Sequence, residues 1–188
     1  FMNQLYSLSG GVHINNDEIK IRDVFVELGD GIATINGSIQ RNNNATVLDI
    51  TGRDQNLYEL SQDFDLSPAP WLTMGMDTNI HLTGTLFPMV LSGELEINGH
   101  ELSVSSGDIR TKDAMLSIPS TLLKGSVAFD KDHLVYDMQD WRLSDNPSRV
   151  YGDSRDSIGS VKGELSFQLP NETLIDYHFD QLDCSLLK

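Results

Sequence analysis

Apolar residues recur at every second position through most of this chain, with polar residues between them. Ile19 and Ile21, then Val24, Val26 and Leu28, form one such run, and Leu91, Leu95 and Ile97 form another. A period of two is the spacing of a β-strand with one buried face. Six runs share a tighter pattern: an apolar residue, any residue, Gly, any residue, an apolar residue. They are centred on Gly10, Gly37, Gly84, Gly93, Gly125 and Gly163. Each Gly falls on the apolar side of its strand, where a missing side chain leaves room for a bend or a close neighbour. The intervals between these glycines are 27, 47, 9, 32 and 38 residues, by subtraction of their positions. A solenoid with a fixed repeat would be more regular.

Turn signals separate the runs about every ten residues. Asn15-Asn-Asp17, Gly29-Asp-Gly31, Arg41-Asn-Asn-Asn44, Asn98-Gly99 and Asp130-Lys-Asp132 are read as turns. The alternation slips by one residue between Ile21 and Val24, which predicts a bulge near Arg22-Asp23. One segment breaks the rhythm. Leu57 and Leu60 lie three apart behind Asn56, a capping residue, and predict a short helix near 56–62. Ser67-Pro-Ala-Pro70 follows it. The expected fold is all-β: an antiparallel meander of many short strands in an elongated curved sheet or groove. A β-sandwich is the alternative. The expected organisation is a block over 1–66 and a second over 67–188, together one continuous β body. The chain starts at Phe1 in mid-pattern, so a fragment of a longer protein is expected.

Composition narrows the partners. The 28 acidic and 13 basic residues give a net charge of −15. That excludes a phosphate-binding surface for nucleic acid and opposes adsorption to anionic lipid. The one cysteine, Cys184, allows no internal disulfide, and its alternating context reads as a buried strand position. No apolar run approaches the roughly 18 residues that cross a bilayer.

The search for reaction chemistry returns little. The five histidines, His13, His81, His100, His133 and His178, show no metal-ligand spacing, and His13 and His81 fall on polar strand faces. No nucleophile elbow, P-loop or dinucleotide fingerprint occurs. Glu94 and Glu96 share an outer strand face, and Asp153 and Asp156 share a polar loop. A two-carboxylate glycosidase would pair its acids with an aromatic-rich groove, whereas aromatic residues are 7% of this chain. Asp145, Asp153 and Asp156 lie in the loop Ser144 to Ser160, whose spacing is not that of an EF-hand. The sequons at Asn36, Asn44 and Asn171 matter only in a eukaryotic secreted protein. The expectation is no catalytic residue, no metal and no cofactor.

The run Ile19-Lys-Ile21-Arg-Asp23-Val24, then Leu28-Gly-Asp-Gly31, then Ile35-Asn-Gly37-Ser-Ile39, resembles the AsmA-like and TamB-like periplasmic proteins of Gram-negative envelopes. So do Leu48-Asp-Ile50-Thr-Gly52-Arg53 with its short helix, Leu91-Ser-Gly93-Glu-Leu95-Glu-Ile97 and Val161-Lys-Gly163-Glu-Leu165-Ser-Phe167. The resemblance implies a curved sheet folded into a groove, apolar within and polar outside, that shields phospholipid or other acyl chains. Leu91, Leu95, Ile97, Leu123, Val127, Phe129, Val161, Leu165 and Phe167 would line it. It further implies a periplasmic location, an inner-membrane anchor outside this chain, and an envelope or outer-membrane protein as partner. The rival expectation is a secreted or surface binding module, a β-sandwich or solenoid whose loops contact a glycan or protein. From alternation alone a groove lining and a sandwich core are indistinguishable.

Overall fold

The computed structural model describes residues 7–28, 31–63, 71–108, 113–145, 157–166 and 174–181. Ten strands follow one another: β1 (Leu8–Ile14), β2 (Glu18–Leu28), β3 (Gly31–Gln40), β4 (Ala45–Asn56), β5 (Leu72–Thr85), β6 (Val90–Ser105), β7 (Ala114–Asp130), β8 (His133–Ser144), β9 (Ser157–Ser166) and β10 (Leu174–Gln181). They form a single antiparallel sheet in chain order, β1 to β10, and the sheet does not close. Every strand pairs with its sequence neighbour, the topology that short turns between alternating runs produce. The β-sandwich alternative is therefore not the fold. Among the described residues no second sheet packs on the first, and extensive strand contact is confined to sequence neighbours.

One helix, α1 (Leu57–Asp63), sits between β4 and β5. Asn56 caps it: its Oδ1 accepts from the backbone N–H of Tyr58 at 2.9 Å and of Glu59 at 3.4 Å. The sheet runs on past this helix, because β4 and β5 pair from Ala45↔Thr85 to Asn56↔Gly75.

The expected slip near Arg22-Asp23 is present. The ladder shifts between Ile21 and Val24, Asp23 has φ 46°, and its N–H donates to Asn36 Oδ1 at 2.9 Å. A second shift between Gly52 and Gln55 holds Asp54 at φ 53°. Short polar side chains tolerate this left-handed backbone better than most.

Asn98-Gly99 is not a turn. Both residues lie inside β6, where Asn98 pairs with Asp77 and Leu122, and Gly99 with Met76 and Thr121. The signal misleads because Gly99 serves packing: a β-carbon there would overlap Thr121 Cγ2 and Met74 Sδ. β6 and β7 are accordingly longer than the expected pairs of short strands. Pro119 interrupts β7 without breaking it. It stands opposite Glu101, at φ 53°, where the β6–β7 ladder has no pair, and β8 pairs only from Ser120 onward. Its missing N–H thus removes no ladder bond.

The core sits on one face of the sheet. Leu82, Leu91, Val127 and Met138 are 3–5% exposed, with residues from β4 to β9 packed around them. Burial this deep fits a single layer curled toward its apolar face, which is called the inner face below. Ile118 and Leu143 centre a smaller cluster with Trp141 and Phe179, whose rings lie 4.6 Å apart.

Candidate functional site

The inner face is built from rows that run across the strands. One row reads Val12, Ile21, Gly37, Leu48, Leu82, Gly93, Val127, Tyr136, Gly163, Ile175, one residue from each of the ten strands. Another reads Leu8, Val26, Ala33, Gly52, Thr78, Ile97, Leu123, Trp141, Gly159, Phe179. A third runs Ile14, Ile19, Ile39, Thr46, Gly84, Leu91, Phe129, Leu134, Leu165. Thr46 and Thr78 are the only polar members of these three rows apart from the Tyr136 hydroxyl and the Trp141 ring nitrogen. With strands about 4.8 Å apart, ten strands make an apolar track of about 43 Å along the sheet.

The glycines shape this track. In the first row Gly37, Gly93 and Gly163 recur every third strand, with two bulky residues between each pair. A β-carbon on Gly93 would overlap the His81 carbonyl oxygen, one on Gly125 that of Asp137, and one on Gly163 that of Leu174. The neighbouring backbone leans over the inner face at each of these points. A side chain would push it away and flatten the sheet.

The structure brings the expected groove residues to this one face, with different degrees of access. Leu91 and Val127 are buried at 5% and 4% exposure, so they form the floor. Leu95, Leu123, Phe129 and Val161 are half-buried against that floor. Ile97 and Leu165 are half-buried in the flanking rows. Phe167 lies outside the described residues, as do Cys184, Asp153 and Asp156. The sequence reasoning left out Leu48, Ile50, Ile80, Leu82, Leu134 and Met138, which join the same cluster. Their signal was present, since Leu82 belongs to a Gly-centred motif, but the motif alone does not tell which strands become neighbours. Tyr136 also lines the track, and burial pushes its phenol above the usual value.

Exposure rises toward both edges of the sheet. On the inner side Leu8, Val12 and Ile14 of β1 are 60–65% exposed, and Ile175 and Tyr177 of β10 are 60% and 68% exposed.

The outer face carries the charged residues together with exposed apolar side chains, among them Phe25, Ile32, Val47, Val135 and Leu174. The row Asn36, Asp49, His81, Glu94, Ser126, Asp137, Lys162, Asp176 backs the first inner row. His81 Nδ1 lies 2.7 Å from Asp49 Oδ1, both exposed. Lys124 Nζ at 3.2 Å and Asn98 Nδ2 at 3.3 Å from the Glu96 carboxylate hold it below the usual carboxylate range. The hollow among Asp49, His81, Glu94, Glu96 and Lys124 is shallow and open. Among the described residues no group of three His, Cys, Asp or Glu side chains is placed to hold a metal ion. No helix among them is long and apolar enough to cross a membrane. Comparison with protein-family models, with curated proteins and with solved structures returns no match.

Proposed function

We propose that the inner face shields the acyl chains of a lipid, and that the chain is a segment of an AsmA-like or TamB-like envelope protein. In that setting it works without catalysis, between the inner and outer membranes, anchored through a segment outside this chain. The observation that carries the reading is the unclosed single sheet whose apolar rows run from one edge to the other, with no second layer over them among the described residues. The strip is sealed at its centre, half-buried on its flanks and exposed at its β1 and β10 edges, and exposed apolar surface of this kind is uncommon on a soluble monomer unless something binds there. The charged residues of the outer face keep the body wetted while the inner face meets hydrocarbon.

Chain length follows from the energetics. Each buried methylene contributes about 0.8 kcal/mol. Association costs at least about 4 kcal/mol in lost freedom. A chain of fewer than about six carbons gains under about 5 kcal/mol, which barely offsets that cost, whereas about a dozen methylenes supply close to 10 kcal/mol. Long acyl chains are therefore the expected ligands, and short ones bind poorly.

Native mass spectrometry of the protein expressed in bacteria tests this, followed by titration with fatty acids of graded length. Co-purified phospholipid and affinity that climbs with chain length are expected. Leu165→Glu on the inner face should weaken binding at least tenfold, by placing a charge in the track, while Val135→Glu on the outer face should not. Absence of lipid together with no length-dependent binding would sink the reading.

A further inference from the structure

We propose that Gln55 orients the lipid on the inner face: its side-chain amide donates to the carbonyl oxygen of an esterified acyl chain that lies along the second inner row. This rests on the acyl-binding reading and names the class of lipid that the same face takes.

The backbone aims Gln55 inward. In unbroken alternation with Leu48, Ile50 and Gly52, Asp54 would face the track and Gln55 the outer side. The ladder instead passes from Gly52↔Thr78 to Gln55↔Met76, so β4 advances three residues where β5 moves two. Asp54 takes up the extra residue at φ 53°, and its N–H donates to Asp77 Oδ1 at 3.0 Å. A bulge of this kind re-aims a side chain. Gly52 makes the room: the space its β-carbon would take is held by the Gln55 amide and by Thr78 Oγ1.

The amide has an unmet donor. Gln55 is 6% exposed and Thr78 8%. Thr78 Oγ1 donates to Gln55 Oε1 at 2.8 Å, and among the described residues nothing accepts from Gln55 Nε2. Exchanging the oxygen and nitrogen of the amide would reverse that bond and still leave an amide hydrogen without an acceptor. Buried polar groups are nearly always partnered, because an unpartnered one forfeits its hydration for nothing. Other polar groups of this face obey that rule. Thr46 Oγ1 donates to the Asn44 carbonyl at 2.9 Å. Trp141 Nε1 donates to Thr121 Oγ1, which donates to the Arg142 carbonyl, each at 3.1 Å. The Gln55 donor is left for a group from outside the chain.

The surroundings select that group. Ala33 beside Gly52, Ile97 beside Thr78 and Met76 opposite Gln55 are all apolar. A carboxylate would lie among them without a cation, on a chain of net charge −15. A neutral carbonyl carries no such penalty. Its oxygen meets the amide N–H while its hydrocarbon lies against half-buried Ile97 and Leu123. An acyl ester supplies both parts.

Displacement of a fluorescent long-chain lipid tests this, with three competitors: a fatty-acid methyl ester, the methyl alkyl ether of equal length and the ionised fatty acid. The unmodified protein should bind the ester about fivefold more tightly than the ether, the worth of one neutral hydrogen bond. It should bind the ionised acid more weakly than the ester. Gln55→Leu should bind ester and ether equally, with its affinity for the ether kept. Equal binding of ester and ether by the unmodified protein overturns the proposal and leaves acyl binding standing. So does an acid that outcompetes the ester, or a Gln55→Leu variant that loses both ligands together. Failure of all three competitors sinks the acyl-binding reading and this proposal with it. Nuclear magnetic resonance on the unmodified chain covers a Gln55→Leu variant that does not fold. The Gln55 side-chain amide proton should move downfield with the ester and not with the ether, and an amide that ignores the ester counts against the proposal.

Discussion

Leu82 stands directly across the ladder from Gly93, and the space a β-carbon on Gly93 would take is held by the carbonyl of His81, the residue before Leu82. The pair shows a device that recurs in this sheet, at Gly37 against Leu48 and at Gly163 against Tyr136. A bulky residue on one strand meets a glycine on the next, and the glycine lets the backbone curl over the apolar face.

Gly93→Ala should therefore destabilise the fold by about 2–4 kcal/mol, since relief would require moving backbone rather than a flexible side chain. Gly75→Ala is the control. The nearest atom to its new methyl is the His100 carbonyl oxygen at 3.6 Å, an ordinary contact. It should change stability by less than about 0.5 kcal/mol. Urea unfolding midpoints of the two variants check this, and equal effects would refute the curl as its cause.

Leu82→Ala should cost about 2–4 kcal/mol, because the side chain is 4% exposed at the centre of the inner cluster. Val135→Ser, on the outer face and 45% exposed, should stay within about 0.5 kcal/mol. The contrast, measured by thermal unfolding, separates the two faces of the sheet.

Asn56→Ala should cost about 1 kcal/mol, with Asn56→Asp recovering most of it. The Oδ1 of Asn56 accepts from two helix N–H groups and from Thr73 Oγ1 at 3.2 Å, tying α1 to β5. Alanine leaves all three donors to water. Unfolding of the three proteins side by side decides it.

Lys124→Met should raise the titration midpoint of Glu96 toward its ordinary value of 4.5, followed by carbon-detected NMR. The hydrogen bond from Lys124 is the largest cause of the depression, ahead of that from Asn98. A carboxyl whose folded value is depressed contributes stability above its unfolded value. That contribution fades as the pH drops below 4.5 through the folded value. The pair is partly exposed, so its share of stability stays under about 1 kcal/mol. A midpoint unmoved by the substitution would show that Lys124 does not set it.

Much of the architecture is legible in the sequence because a strand with one wet face carries its own signature. Ile19, Ile21, Val24 and Val26 announce both the strand and the bulge that shifts its phase. Asn56 announces the helix start. Asn98-Gly99 shows the limit. As a dipeptide it favours a hairpin, yet Met74 and Thr121 need the room that Gly99 leaves, and tertiary packing overrides the local preference. That Leu91, Leu95, Ile97, Leu123, Val127, Phe129, Val161 and Leu165 share one face was likewise legible, since each sits in phase with a motif glycine.

Local alternation by itself determined that the chain is all-β, which residues share a face, and that this face is apolar while the other carries the charge. A two-residue period needs only the pleat of one strand to be read. Tertiary structure alone decided that the ten strands make one unclosed sheet and not two packed ones. It also decided that Leu91 and Val127 lie sealed in the floor while Val12 and Tyr177 stand open at the edges. The glycines that are irregular along the chain recur every third strand in space at Gly37, Gly93 and Gly163. Ladder register sets that spacing, and register depends on where turns and bulges place each strand against its neighbour, which lies beyond any one strand's pattern.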